Sequence, residues 1–200
     1  MTYAAMAAYL VGSYLLGAVP FGLLFGKALG GVDVRSTGSG NIGATNVLRA
    51  AGKKAAILTL AADCLKGLLP VLLASRLFPA GDMDVYSAIA AIVGHNYPVY
   101  LGFKGGKGVA TSFGVVLGIA PITAVVCLLA WAGAAAIWKY SSLSALVAFA
   151  LYPLMTFALF GDSRSHGLLS LFVFGMMYYR HRENIKRLLD GTEPKIGQKR

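Results

Sequence analysis

Acidic residues are scarce in this chain. Asp and Glu number 8 in 200 residues, against 18 Lys and Arg. They do not cluster, so no set of carboxylates is spaced to hold a metal, and an aspartate-rich phosphotransferase site of the CDP-alcohol kind is excluded. Cysteine is almost missing too. Cys64 and Cys127 both sit in apolar segments and read as packing residues, not as a disulfide framework. Charge of either sign is low at 13% of residues, where a soluble domain carries about 25%. The N-terminus lacks a charged leader and an A-x-A cleavage site, so residues 3–27 read as a retained first span.

What is present is apolar sequence. Apolar residues make up 57% of the chain, and the mean hydropathy is +0.68. The expected fold is all-α: a polytopic membrane helix bundle forming one domain over residues 1–200, with 192–200 a flexible cytoplasmic tail. Candidate spans lie at 3–26, 55–78, 84–101, 108–120, 122–138, 142–160 and 165–180. Residues 108–138 as one helix would run about 46 Å, too long for a hydrocarbon core of about 30 Å. Gly118 and Pro121 supply the break. The fourth and seventh spans are short, which leaves a re-entrant segment open.

Charge placement tests this count. With seven spans, Lys27, Arg35, Arg49, Lys53, Lys54, Lys104, Lys107, Lys139 and the basic tail share one face, 15 of the 18 basic residues. Arg76, Arg164, Asp82, Asp84 and Asp162 fall on the other. The bias puts the N-terminus outside and the C-terminus in the cytoplasm. It also accounts for the net charge of +10 without nucleic acid. No internal repeat and no matched pair of broken helices is visible.

Three polar blocks interrupt the apolar sequence. The first, S36-TGSGNIGATNVLR-49, contains GSGNIG, which spells the dinucleotide fingerprint. A membrane span precedes it instead of a strand, and Asp63, 20 residues after Gly43, falls within the second span. The nucleotide reading therefore fails on context. The physics of the motif survives: glycines let backbone N–H groups approach an anion. Ser36, Thr37, Ser39, Asn41, Thr45 and Asn46 add neutral hydrogen-bonding groups, and Arg49 adds a planar fork suited to phosphate. A plain polar loop remains the alternative.

The second block, L101-GFKGGKGVAT-111, resembles a P-loop but misses it. Gly102 to Gly106 is one residue short, and Gly108 follows Lys107 where a hydroxyl residue belongs. A glycine-rich turn with two lysines leading into a helix is an anion site without that fold; turn lysines obeying charge bias are the alternative. In the third block, R180-HRENIKR-187, the basic residues suit lipid headgroups. His181 and Asn184, at i and i+3, share a face on a continuing helix. Deeper in the membrane, Asp63 and Lys66 are either functional or a structural ion pair. His95 either lines the site or bonds between helices.

In this order and on a chain of this length, GSGNIGATNVLR, GHNYPVYLGFKGGKGVAT and RHRENIKRLL strongly resemble the bacterial PlsY family of integral-membrane glycerol-3-phosphate acyltransferases. The resemblance covers essentially the whole chain. It implies acyl transfer from acyl phosphate to the 1-position of glycerol 3-phosphate, giving lysophosphatidic acid for phospholipid synthesis. It implies a multi-pass protein of the bacterial inner membrane with its site on the cytoplasmic side. Acyltransferases that use acyl-CoA or acyl carrier protein carry H-x-x-x-x-D. Five residues beyond His95, His166 and His181 stand Tyr100, Leu171 and Lys186, so that motif is absent. No cofactor and no metal is expected. The expected partners are the two substrates and membrane lipid, with a monomer as the working unit.

The residue assignments follow as expectations. Arg49, Lys104, His181 and Asn184 are catalytic. Ser36, Gly38, Ser39, Gly40, Asn41, Gly43, Thr45 and Asn46 bind phosphate, as do Gly105, Gly106, Lys107 and Gly108. His95, Asp63 and Lys66 line the site. No Ser-His-Asp or Cys-His arrangement is evident, so attack is direct. The proton acceptor is either His181 or a substrate phosphate. The competing class is a phosphate or organophosphate transporter.

Overall fold

The computed structural model describes residues 2–161 and 163–198. Met1 lies outside them, as do Asp162, Lys199 and Arg200, which entered the charge count. The described residues form α-helices joined by turns and two short 3-10 segments, with no strand. They divide into two compact units, one ending at Ile119 and one starting at Ala120.

The first unit holds α1 (Tyr3–Ala18), α2 (Phe21–Gly30), α3 (Ala44–Leu77), α4 (Met83–Asn96) and α5 (Val109–Ile119). The expected single span at 3–26 is two helices. Pro20 cannot donate to the ladder, and its ring disfavours a helical Val19. Val19 adopts φ −58°, ψ 119° and ends α1. The third span likewise stops at Asn96, short of residue 101, because Pro98 follows Tyr97. α3 begins eleven residues before the expected 55, so part of the first polar block is helical. Gly52, at φ 85° and ψ 179°, separates that opening piece from the apolar remainder.

α3 packs against α2, α4 and α5, and α1 packs against α4. The α3–α5 contact is reciprocal: a Cβ on Gly67 would strike the Thr111 backbone, and one on Gly114 the Cys64 backbone. Within lipid, helices associate by such close approach, because hydrocarbon offers them no hydrophobic drive. Pro70 within α3 leaves carbonyls to be satisfied from outside, and its own oxygen accepts the Tyr9 hydroxyl at 2.5 Å.

The second unit holds α6 (Pro121–Trp138), α7 (Ser141–Phe160), α8 (Arg164–Arg180) and α9 (Arg182–Leu189). Pro121 starts α6, a position where its missing N–H costs nothing. α7 packs on α6, α8 and α9.

Among the described residues, four stretches are long and apolar enough to cross a membrane: Tyr3–Gly30, Ala44–Leu77, Pro121–Trp138 and Ser141–Leu159. Large apolar side chains point outward along them, Ile122, Leu129 and Leu154 among them. α5 is apolar but has only 11 residues, about 16 Å of helix.

Candidate functional site

The first polar block is built around one buried amide. Asn46, on the first turn of α3, is 2% exposed. Its Nδ2 donates to the carbonyls of Val34, Thr37 and Asn41 at 2.8, 3.1 and 2.9 Å. Its Oδ1 accepts the Ser39 N–H at 3.0 Å. The loop from 34 to 41 is thereby wrapped around a single side chain. Gly38 and Gly40 take φ of 60° and 68° to make that wrap, a conformation other residues resist. Beneath it, Val34, Ile42, Val47, Leu23, Ala55 and Ala56 form an apolar cluster.

This changes the account of the glycine-rich stretch. The expected cradle used backbone N–H groups, yet three of them serve the loop itself. Ser39 N–H goes to Asn46, Gly40 N–H to the Thr37 carbonyl at 3.1 Å, and Gly43 N–H to Asn41 Oδ1 at 2.9 Å. Asn46 and Asn41 are the frame of the loop. Ser39 and Thr45 are exposed on it and Arg49 is half-buried. Ser36 is exposed as well, its hydroxyl donating to the Asp33 carbonyl at 2.8 Å. Asp33 also binds Arg35 through two nitrogens, at 2.6 and 2.9 Å. That fork holds the Asp33 carboxyl far below the usual carboxylate range.

The second block follows a 3-10 turn at Val99–Leu101. Leu101 packs on the same apolar cluster that carries the first block, so both glycine-rich segments rest on one core. The Pro98 carbonyl accepts the N–H groups of Leu101 and Phe103 at 3.1 and 2.9 Å. Phe103 is held at φ 64°, a strained value for a non-glycine residue. Lys104 is exposed beyond this turn and Lys107 is half-buried. Gly106 N–H donates to the His95 carbonyl at 3.1 Å. A Cβ on Gly105 would strike that carbonyl and the Pro98 ring, and a Cβ on Gly106 would strike the His95 imidazole. Gly108 lies against the Asn96 amide at φ 79° and leads into α5.

Asp63, Lys66 and His95 are buried below this loop, at 2%, 2% and 3% exposure. Lys66 Nζ lies 2.7 Å from Asp63 Oδ1 and donates to the Val19 carbonyl at 2.8 Å. His95 Nδ1 lies 3.8 Å from the same carboxylate oxygen. Lys66 thus shares with the Phe21 N–H, at 3.1 Å, the carbonyl that precedes Pro20 at the break between α1 and α2. None of the three is exposed enough to line an open surface.

In the second unit His181 joins α8 to α9, with φ −99° and ψ 7°. Its Nδ1 lies 2.9 Å from the Met177 carbonyl. A carbonyl only accepts, so Nδ1 carries the proton and Nε2 the lone pair of the neutral ring. Asn184, also buried, donates to Glu193 Oε1 at 2.6 Å. Glu193 accepts from Ser142 Oγ and Arg187 Nε as well, both at 2.7 Å. The sequence reads 192–200 as a flexible tail, and its start is held by these three donors. Burial pushes the Glu193 carboxyl up, but the three hydrogen bonds and the Arg187 charge outweigh it and hold it below its ordinary range. The sequence signal for it is an acid, Glu193, among the basic residues of 192–200.

Known proteins match this chain over most of its length. The sequence profile described as "Glycerol-3-phosphate acyltransferase" matches residues 7–191. A curated glycerol-3-phosphate acyltransferase of Trichlorobacter lovleyi is 47% identical over 192 residues, 94% of this chain and 96% of the relative. The crystal structure of PlsY (YgiH), an integral membrane glycerol 3-phosphate acyltransferase, in its glycerol 3-phosphate form, matches with a TM-score of 0.91 at 41% identity. It covers 96% of each chain. The lysophosphatidic acid form of PlsY matches with a TM-score of 0.88 at 40% identity, also over 96% of each chain.

Proposed function

The chain belongs to the glycerol-3-phosphate acyltransferase family, and from that premise we propose a donor, a site and a course for its reaction. It is a membrane-embedded acyltransferase that acylates glycerol 3-phosphate to lysophosphatidic acid. The proposed donor is acyl phosphate and the acylated position is the 1-hydroxyl. The membrane is the bacterial inner membrane, crossed seven times with the N-terminus outside and the polar blocks on the cytoplasmic side. The working unit is a monomer.

One observation carries the reading. Two glycine-rich segments stand on one apolar cluster, each fastened from below by a buried polar residue, Asn46 and His95. That leaves Ser39, Thr45 and Lys104 exposed above them. Rigid loops that present hydroxyls and cations suit a reaction between two phosphate-bearing substrates.

The chemistry asks little else of the protein. Acyl phosphate is a mixed anhydride, activated before it arrives. The glycerol oxygen attacks the acyl carbonyl carbon, the ester bond forms, and the carbon–oxygen bond to phosphate breaks with its electron pair leaving on phosphate. We assign Arg49, Lys104 and Lys107 to neutralising the phosphates and the developing charge. Ser39 and Thr45 bind phosphate oxygens, and His181 and Asn184 position glycerol 3-phosphate. The hydroxyl proton is assigned to a substrate phosphate. Orientation and charge neutralisation then supply the rate.

Purified protein in lipid, given labelled glycerol 3-phosphate, tests this. Lysophosphatidate should form with acyl phosphate and not with acyl-CoA. Uptake into sealed vesicles without acylation, or equal use of both donors, rejects the reading.

A further inference from the structure

We infer that the buried Asp63–Lys66 pair is a positioning device for the glycine-rich loop at 104–108, acting through His95; this deepens the function proposed above and rests on it. The contacts run in sequence. The Val19 carbonyl accepts from Lys66 at 2.8 Å, Lys66 meets Asp63 Oδ1 at 2.7 Å, and that oxygen lies 3.8 Å from His95 Nδ1. The opposite edge of the ring, at Nε2, faces Gly106 so closely that no Cβ fits. The His95 carbonyl takes the Gly106 N–H at 3.1 Å. His95 therefore grips the loop at two points, ring and main chain, and Asp63 stands behind the ring.

A fold-holding role alone explains this poorly. Two charges buried in a membrane helix are costly, and apolar residues of similar volume usually hold helices together as well or better. An apolar pair would not set the ring of His95. A charged pair can, because the carboxylate is held on one side by Lys66 and lies 3.8 Å from the imidazole nitrogen on the other, an electrostatic contact longer than a hydrogen bond. Lys66 itself is fixed by the Val19 carbonyl and lies 5.6 Å from the Phe21 ring centroid. The pair therefore ties three things to one point on α3: the break between α1 and α2, the end of α4, and the loop that carries Lys104 and Lys107. Thr45 and Arg49 lie on the opening piece of α3, which Gly52 separates from Asp63 and Lys66, so the pair acts on the second block.

The test separates positioning from folding. Asp63→Asn and Lys66→Met alone each leave an uncompensated buried partner and should melt early. Together they leave no buried charge, and the Val19 carbonyl, losing Lys66, keeps the Phe21 N–H, so the double variant should melt closer to wild type than either single variant. Its kcat should stay about 10-fold to 100-fold below wild type, the effect of a misplaced group. His95→Gln, which keeps the main-chain bond to Gly106, should lose kcat similarly without early melting. Hydrogen exchange over 102–108 should rise in both variants, and that reading needs no substrate. A double variant or His95→Gln with wild-type kcat and wild-type exchange overturns the inference. Faster exchange in a protein whose wild type forms no lysophosphatidate keeps the positioning and overturns the proposed reaction.

Discussion

Asn184 and Glu193 meet at 2.6 Å, amide nitrogen to carboxylate oxygen, across the end of α9. The same carboxylate takes Ser142 from the first turn of α7 and Arg187 from α9. One acid therefore anchors the residue assigned to glycerol 3-phosphate.

This contact has a pH signature. The folded carboxyl of Glu193 is held below its ordinary range, so its stabilisation is complete above that range and is lost as pH falls through the folded value. Melting temperature in detergent should drop on acidification from neutral pH. Glu193→Gln should start lower at neutral pH and fall less steeply. Parallel curves for the two proteins would reject this role.

Asn46 predicts an ordered series. Asn46→Ala strands the Val34 and Asn41 carbonyls and the Ser39 N–H, groups that cost about 1–3 kcal/mol each when buried without a partner, while the Thr37 carbonyl keeps the Gly40 N–H. Asn46→Asp goes further, because a carboxylate oxygen would face the carbonyls of Val34, Thr37 and Asn41. Stability and turnover should both rank Asn above Ala above Asp. An Asp variant that melts above the Ala variant would contradict the bonding described.

Lys104 behaves differently because it is exposed. Lys104→Ala should leave melting unchanged while kcat falls about 100-fold to 1,000-fold, the scale for a lost charge-stabilising donor. Arg49→Ala should reduce turnover to a similar degree. Near-normal rates in either variant would remove that residue from the assignment.

The glycines divide by what surrounds them. Gly114→Ala drives a methyl into the Cys64 backbone, and main chain cannot step aside. A loss of about 1–3 kcal/mol is expected. Gly175, within α8, has nothing within 4 Å of an added Cβ, so Gly175→Ala should hold or gain up to about 1 kcal/mol in helix propensity. Melting of the two variants side by side checks the pair.

Much of the helix layout was legible in the sequence, since apolar runs of set length between clustered charges leave few alternatives. Pro121 and Gly118 marked one break correctly. Pro20 marked another, and only composition argued for reading through it. The polar blocks read as phosphate-friendly in the sequence, which did not say which of their atoms the loops themselves use. Asn41 and Asn46 look like ligands in a string of neutral donors. Whether an amide faces a substrate or its own loop depends on which carbonyls the turn leaves stranded, and that is fixed only after Gly38 and Gly40 adopt positive φ.

By itself, then, the sequence determined the solvent this protein lives in. That follows from local composition, because lipid selects apolar helices. The tertiary structure alone decided what Asn46, His95, Asp63, Lys66 and Glu193 do. Apart from the Asp63–Lys66 pair, three residues apart on α3, each finds its partners on another element or across a turn. Inside a membrane such a group must find its partner by folding, and no spacing along the chain says where that partner will be.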